Sequence, residues 1–146
     1  MSLDNLLGTT LDRVKPDKST IAKLIAAADR NIKDSKVEAV SNETRFDSAY
    51  KAILQLANAA LQLNGYRTLT STPGHHMTML QALPKTIGVD AKTVVIFDAL
   101  RKQRQVVDYS GDVISPGSVR ECTQQAEALQ QIMREWMAAN KPEFLK

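Results

Sequence analysis

The feature that most constrains this chain is a stripe of apolar residues between Phe46 and Leu63. Phe46, Ala49, Tyr50, Ile53, Ala57, Ala60 and Leu61 recur at three- and four-residue steps, and Leu56 and Leu63 widen the stripe. Positions with that period fall on one face of an α-helix. Ala49, Ala52, Ala57, Ala59 and Ala60 are small enough to let neighbouring elements approach closely. Ser41 or Asn42 supplies an N-cap, and Asn64-Gly65 supplies a stop. The spacing therefore predicts a long central helix around which the rest of the chain packs.

Four further helices follow from the same reasoning. Asp17 caps one that starts after Pro16, with Ile21, Leu24, Ile25, Ala28 and Ile32 on its apolar face, and it fades near Val37. After a loop from Tyr66 to Gly74, His75 to Leu83 reads as a short helix, punctuated by Pro84 and Gly88. Asp90 caps the next, which carries Val94, Phe97 and Leu100 and then Arg101, Lys102 and Arg104. Past Val107 the residues Asp108-Tyr109-Ser110-Gly111-Asp112 read as a turn. Pro116 stands near the start of the last helix, whose seam is Val119, Cys122, Ala126, Leu129, Met133 and Trp136. Residues 1–16 read as a lead-in, either a short helix or an apolar strap. The expectation is one all-α domain spanning residues 1–146, an up-and-down bundle of four long helices plus one short helix.

Composition agrees and excludes several classes. Aromatics make up 5% of the 146 residues, which favours helix over strand. No apolar run approaches the roughly 18 residues of a membrane span. The N-terminus lacks a signal-peptide pattern, and the single Cys122 fits a reducing cytoplasm and no internal disulfide. A net charge of +3 permits contact with nucleic acid without arguing for it. Phosphate loops, dinucleotide turns, zinc-finger spacings and serine-hydrolase elbows are absent, so no cofactor or metal is expected.

The candidate chemistry centres on Arg101 to Tyr109. In the plain reading this is a solvated helix end, with Asp98 pairing Arg101 and Lys102, and Arg104 pairing Asp108, each worth about 0.2–0.5 kcal/mol. In the functional reading Arg104 and Tyr109 line a polar groove for phosphate, because the planar guanidinium binds phosphate oxygens bidentately. His75 and His76 are the only histidines. Adjacent helical residues point about 100° apart and no Cys or Asp/Glu cluster lies nearby, so they read as loop residues rather than metal ligands. Gly74-His75-His76 nevertheless opens a helix, and a meeting of His76 with Arg104 stays open.

The order of helices, the run Arg45-Phe46-Asp47-Ser48-Ala49-Tyr50, the Gly65-Tyr66-Arg67 and Gly74-His75-His76 segments, and Arg101-Lys102-Gln103-Arg104-Gln105-Val106-Val107-Asp108-Tyr109 together resemble the HEPN superfamily. The resemblance spans residues 17–136. It implies a helical bundle, often dimeric, and in many members a metal-independent ribonuclease, frequently a toxin paired with a nucleotidyltransferase-like partner. The hallmark is an Arg, a polar residue, and a His four to six residues later. Arg104 matches the Arg, Gln105 stands at the polar position, and Tyr109 stands where the His is expected. A phenol with a pKa near 10 is a poor base where an imidazole near 6.5 would serve. The resemblance therefore implies an RNA- or partner-binding domain with a degenerate motif, with Arg101, Gln105, Asp108, Tyr50, Asp47 and His76 flanking the groove. The alternatives are a ribonuclease in which Tyr109 or His76 moves protons, and a plain structural interaction module. A homodimer through the apolar face of the second helix and the Trp136 end is also expected.

Overall fold

The computed structural model describes residues 3–70 and 74–145. The chain is mostly helical, with six α-helices among the described residues: α1 (Lys18–Ser35), α2 (Asn42–Leu63), α3 (His75–Gln81), α4 (Leu83–Thr86), α5 (Ala91–Ser110) and α6 (Pro116–Asn140). The expected caps are in place. Asp17 accepts from the Thr20 amide, Ser41 from Thr44 and Asp90 from Thr93, and α6 adds a cap that was not expected, Ser115 accepting from the Ser118 amide. Each such cap satisfies an amide that the helix itself leaves without a partner.

α2 is the centre. Its buried residues are Phe46, Ala49, Tyr50, Ala52, Ile53, Leu56, Ala57, Ala59, Ala60, Leu61 and Leu63, which cover far more than one stripe. The alanines let α1 and α6 pack closely against it, and α3, α4 and α5 close the remaining side. The apolar face of α2 is thus consumed inside the chain, so it is not the surface through which a second copy would dock. Trp136 is only half-buried, and Met137 takes its place on the α6 seam. Polar bonds tie α1 to α6, with Thr123 donating to Ser35 at 3.0 Å and Lys36 pairing with Glu127 at 2.8 Å.

Three expectations are corrected. Part of the segment from Tyr66 to Gly74, expected as a loop, is a strand: β2 (Tyr66–Thr68) pairs antiparallel with β1 (Leu11–Arg13), Leu11 opposite Thr68 and Arg13 opposite Tyr66. Ser71, Thr72 and Pro73 of that loop lie outside the described residues. The lead-in is therefore a docked 3-10 turn (Leu3–Leu6) followed by a strand that buries Leu11 fully. Three-residue strands carry too little alternation to be read locally, and this pair exists only because distant segments meet. The short helix expected from His75 to Leu83 is two helices meeting at Ala82. Pro84 lies in the first turn of the second, where its missing N–H costs nothing. Finally, α5 does not end at Val107. It continues through Asp108 and Tyr109 to Ser110, and Gly111 closes it at φ 72°.

Candidate functional site

Three elements converge on one polar cluster: α2 brings Asp47, Tyr50 and Lys51, α3 brings His75 and His76, and α5 brings Asp98, Arg101 and Arg104. Arg104 is the hub. Its Nε donates to Asp47 Oδ1, and its guanidinium lies over the Tyr50 ring at 5.4 Å from the centroid. The other carboxylate oxygen of Asp47 is 3.9 Å from Lys51 Nζ. Partial burial works against the Arg104 charge, but the hydrogen bond and charge of Asp47 outweigh it and hold the guanidinium pKa above its ordinary value. Arg101 donates from Nε to Asp98 Oδ1 at 2.9 Å, and Lys102 reaches Asp98 Oδ2 at 3.2 Å. These two local pairs are the ones the spacing predicts.

Tyr50 carries two roles at once. Its ring belongs to the core stripe, yet its hydroxyl is buried with no hydrogen-bond partner beneath Arg104. Burial pushes its pKa up to about 12, against the pull of the Arg104 and Arg101 charges, so it stays a protonated donor. A buried hydroxyl without a partner costs roughly 1–3 kcal/mol, which marks this as a position where a bound acceptor would be rewarded.

His76 joins the cluster from α3. Burial first, then the charges of His75, Arg104 and Arg101, lower its pKa below the ordinary imidazole value. It is therefore neutral at pH 7 beside two guanidinium groups. His75 packs edge-on against it, ring centroids 4.6 Å apart. Among the described residues no group of three or more His, Cys, Asp or Glu side chains is placed to hold a metal.

Tyr109, Gln105 and Asp108 stand differently. Tyr109 is almost fully exposed and does not join Arg104. Five residues along a continuous helix turn it by about 140° from Arg104, and because α5 runs on to Ser110 the side chain cannot fold back. Gln105 is exposed on the same outer side. Asp108 makes no salt bridge to Arg104, although its charge helps hold that arginine protonated. Arg104 takes Asp47 from α2 instead. Lys51, which the sequence reading did not single out, had a visible signal in its position four residues after Asp47 on a helix.

Comparisons with protein-family models, curated proteins and solved structures return no match for this chain. Among the described residues no helix is long and apolar enough to cross a membrane.

Proposed function

We propose that this protein is a HEPN-like RNA-binding domain, its four long helices arranged as an up-and-down bundle, that holds a phosphodiester at the Arg104 cluster. The observation that carries the reading is the half-buried Arg104 guanidinium over Tyr50, whose hydroxyl lacks a partner. An incoming phosphate oxygen displaces Asp47 from Arg104 and takes the Tyr50 proton as a hydrogen bond. Lys51 is already beside Asp47 to receive the released carboxylate. Arg101 adds positive charge at the same end of α5.

The test is binding of single-stranded RNA by the full chain over a series of salt concentrations, beside Arg104→Ala and Tyr50→Phe. Arg104→Ala is expected to weaken binding at least tenfold, about 1.4 kcal/mol, and to flatten the salt dependence by about one counterion. Tyr50→Phe is expected to weaken binding while leaving the fold as stable or more so, since it removes an unsatisfied buried group. Salt-independent binding, or binding unchanged in Arg104→Ala, would remove this reading.

One observation favours a second reading. His76 is the imidazole that the degenerate motif lacks, neutral at pH 7 and near Arg104. In a metal-independent ribonuclease it would accept the 2′-hydroxyl proton while Arg104 stabilises the phosphorane charge. RNA cleavage that persists in EDTA and disappears in both Arg104→Ala and His76→Gln would select that reading.

A further inference from the structure

α1 and α6 both pack against α2 but touch each other little, and a groove runs between them. Ala22, Ala26 and Asp29 stand at steps of four and three on α1, and Gln130, Met133 and Met137 at steps of three and four on α6, so each helix turns one face to it. Leu56, Met133 and Met137, all buried, close its floor, and half-buried Ile25 forms a wall. Asp29 and Gln130 close one end, Gln130 Nε2 donating to Asp29 Oδ1 at 3.1 Å. At the other end the chain leaves α6, and a 3-10 turn (Pro142–Leu145) folds back on α1 and α6 and brings Phe144 and Leu145 to the groove. Leu145 remains 49% exposed there. The cavity measures about 320 Å³. That is at the small end of the range that holds small organic ligands, roughly 300–1,000 Å³.

We propose that this groove binds a medium-chain carboxylic acid, its carboxylate on Arg134 and its apolar chain along Ile25 toward Phe144 and Leu145. The walls favour an apolar body, because a chain laid along Ile25 and Leu145 takes their exposed surface out of water. The two methionines of the floor conform readily to a flexible chain. Its length follows from the helix, since Ala22 and Asp29 lie about 10 Å apart along α1. At roughly 30 Å³ for each water-sized group, the cavity holds about ten heavy atoms. Charge selects the head. Both oxygens of Asp29 already carry donors, Gln130 on Oδ1 and Lys33 Nζ on Oδ2 at 3.0 Å. The bonds from Lys33 and Gln130, and then the charges of Lys33 and Arg134, outweigh burial and hold the Asp29 pKa below its ordinary value. Arg134 lies on the rim, near enough to add to that effect, yet among the described residues it donates no hydrogen bond. Its guanidinium is the strong donor left over, and its planar fork fits a carboxylate with two bonds. An ammonium head would instead face Lys33 and Arg134 and compete for Asp29 with the donors already on it. The walls come from α1, α6 and the C-terminal turn, none of which supplies a side chain to the Arg104 cluster, so the proposal stands apart from the RNA reading.

The experiment is calorimetric titration of the full chain with octanoate, an acid of that size, kept below its micelle-forming concentration. Octanol and octylammonium, with the same chain and a different head, are titrated beside it. Octanoate is expected to bind saturably and one to one, and both controls to bind at least about tenfold more weakly. Arg134→Gln is expected to weaken octanoate by a similar factor and to leave octanol as it was, since only the head is lost. Ala26→Phe fills the groove and is expected to abolish binding of all three. Both positions are exposed, so the thermal unfolding midpoint is expected to stay unchanged in either variant. The proposal is overturned if octanoate shows no saturable binding, or if octylammonium binds as tightly. It is also overturned if octanoate binds either variant as it binds the wild type.

Discussion

α2 and α5 are helices of similar length, 22 and 20 residues, that were built for opposite purposes. α2 buries eleven side chains and α5 only two. α2 is alanine-rich where it meets its neighbours, so it can be enclosed on nearly every side and hold the fold together. α5 spends its inner face partly on Arg101 and Arg104 and leaves its outer face apolar and uncovered. The two helices meet where Arg104 pairs with Asp47 and lies over the Tyr50 ring. Low burial is where a protein of marginal stability can place groups that must move or meet a partner.

The largest expected effect separates the two helices by stability. Phe46→Ala empties the core beneath α2 and is expected to cost about 3–5 kcal/mol in denaturant unfolding. Val106→Ala on α5, where the side chain is exposed, is expected to stay within about 0.5 kcal/mol. Comparable losses in the two variants would break the contrast.

A smaller effect sharpens it by function. Asp47→Asn removes the carboxylate that occupies Arg104, so RNA affinity is expected to rise severalfold. The lost ion pair is partly exposed and is expected to lower stability by only about 0.2–1 kcal/mol. Affinity that falls in this variant would mean that Asp47 orients Arg104 for the ligand rather than competing with it.

The smallest is a pH effect at the join between α3 and α5. The folded protein holds the His76 pKa below its ordinary value, so between that lowered value and about 6.5 the unfolded chain binds more protons than the folded one. Stability is therefore expected to fall as pH drops through this window, and His76→Gln is expected to flatten the fall. A bound phosphate favours the protonated imidazole, so RNA affinity should rise over the same window. An unfolding midpoint with the same slope in both proteins would place His76 outside the cluster.

What the sequence by itself determined were the elements whose cause is local. The caps Asp17, Ser41 and Asp90, the stop at Asn64-Gly65 and the apolar period of α2 are short-range effects, legible wherever a few neighbouring residues decide a dihedral or a face. The salt bridges of Asp98 with Arg101 and Lys102 belong to the same class. Tertiary structure alone decided the β1–β2 pair, because two three-residue strands more than fifty residues apart have no local period to announce them. It also decided the partner of Arg104. The spacing offered Asp108, one turn away and exposed to water. Packing offered Asp47 on another helix, in a half-buried place where a charge pair is screened less and a carboxylate is worth more. Tyr109 shows the same division from the other side. Counting residues brings it near Arg104 along the chain, while the unbroken hydrogen bonds of α5 through Ser110 turn it to the opposite surface, exposed to water.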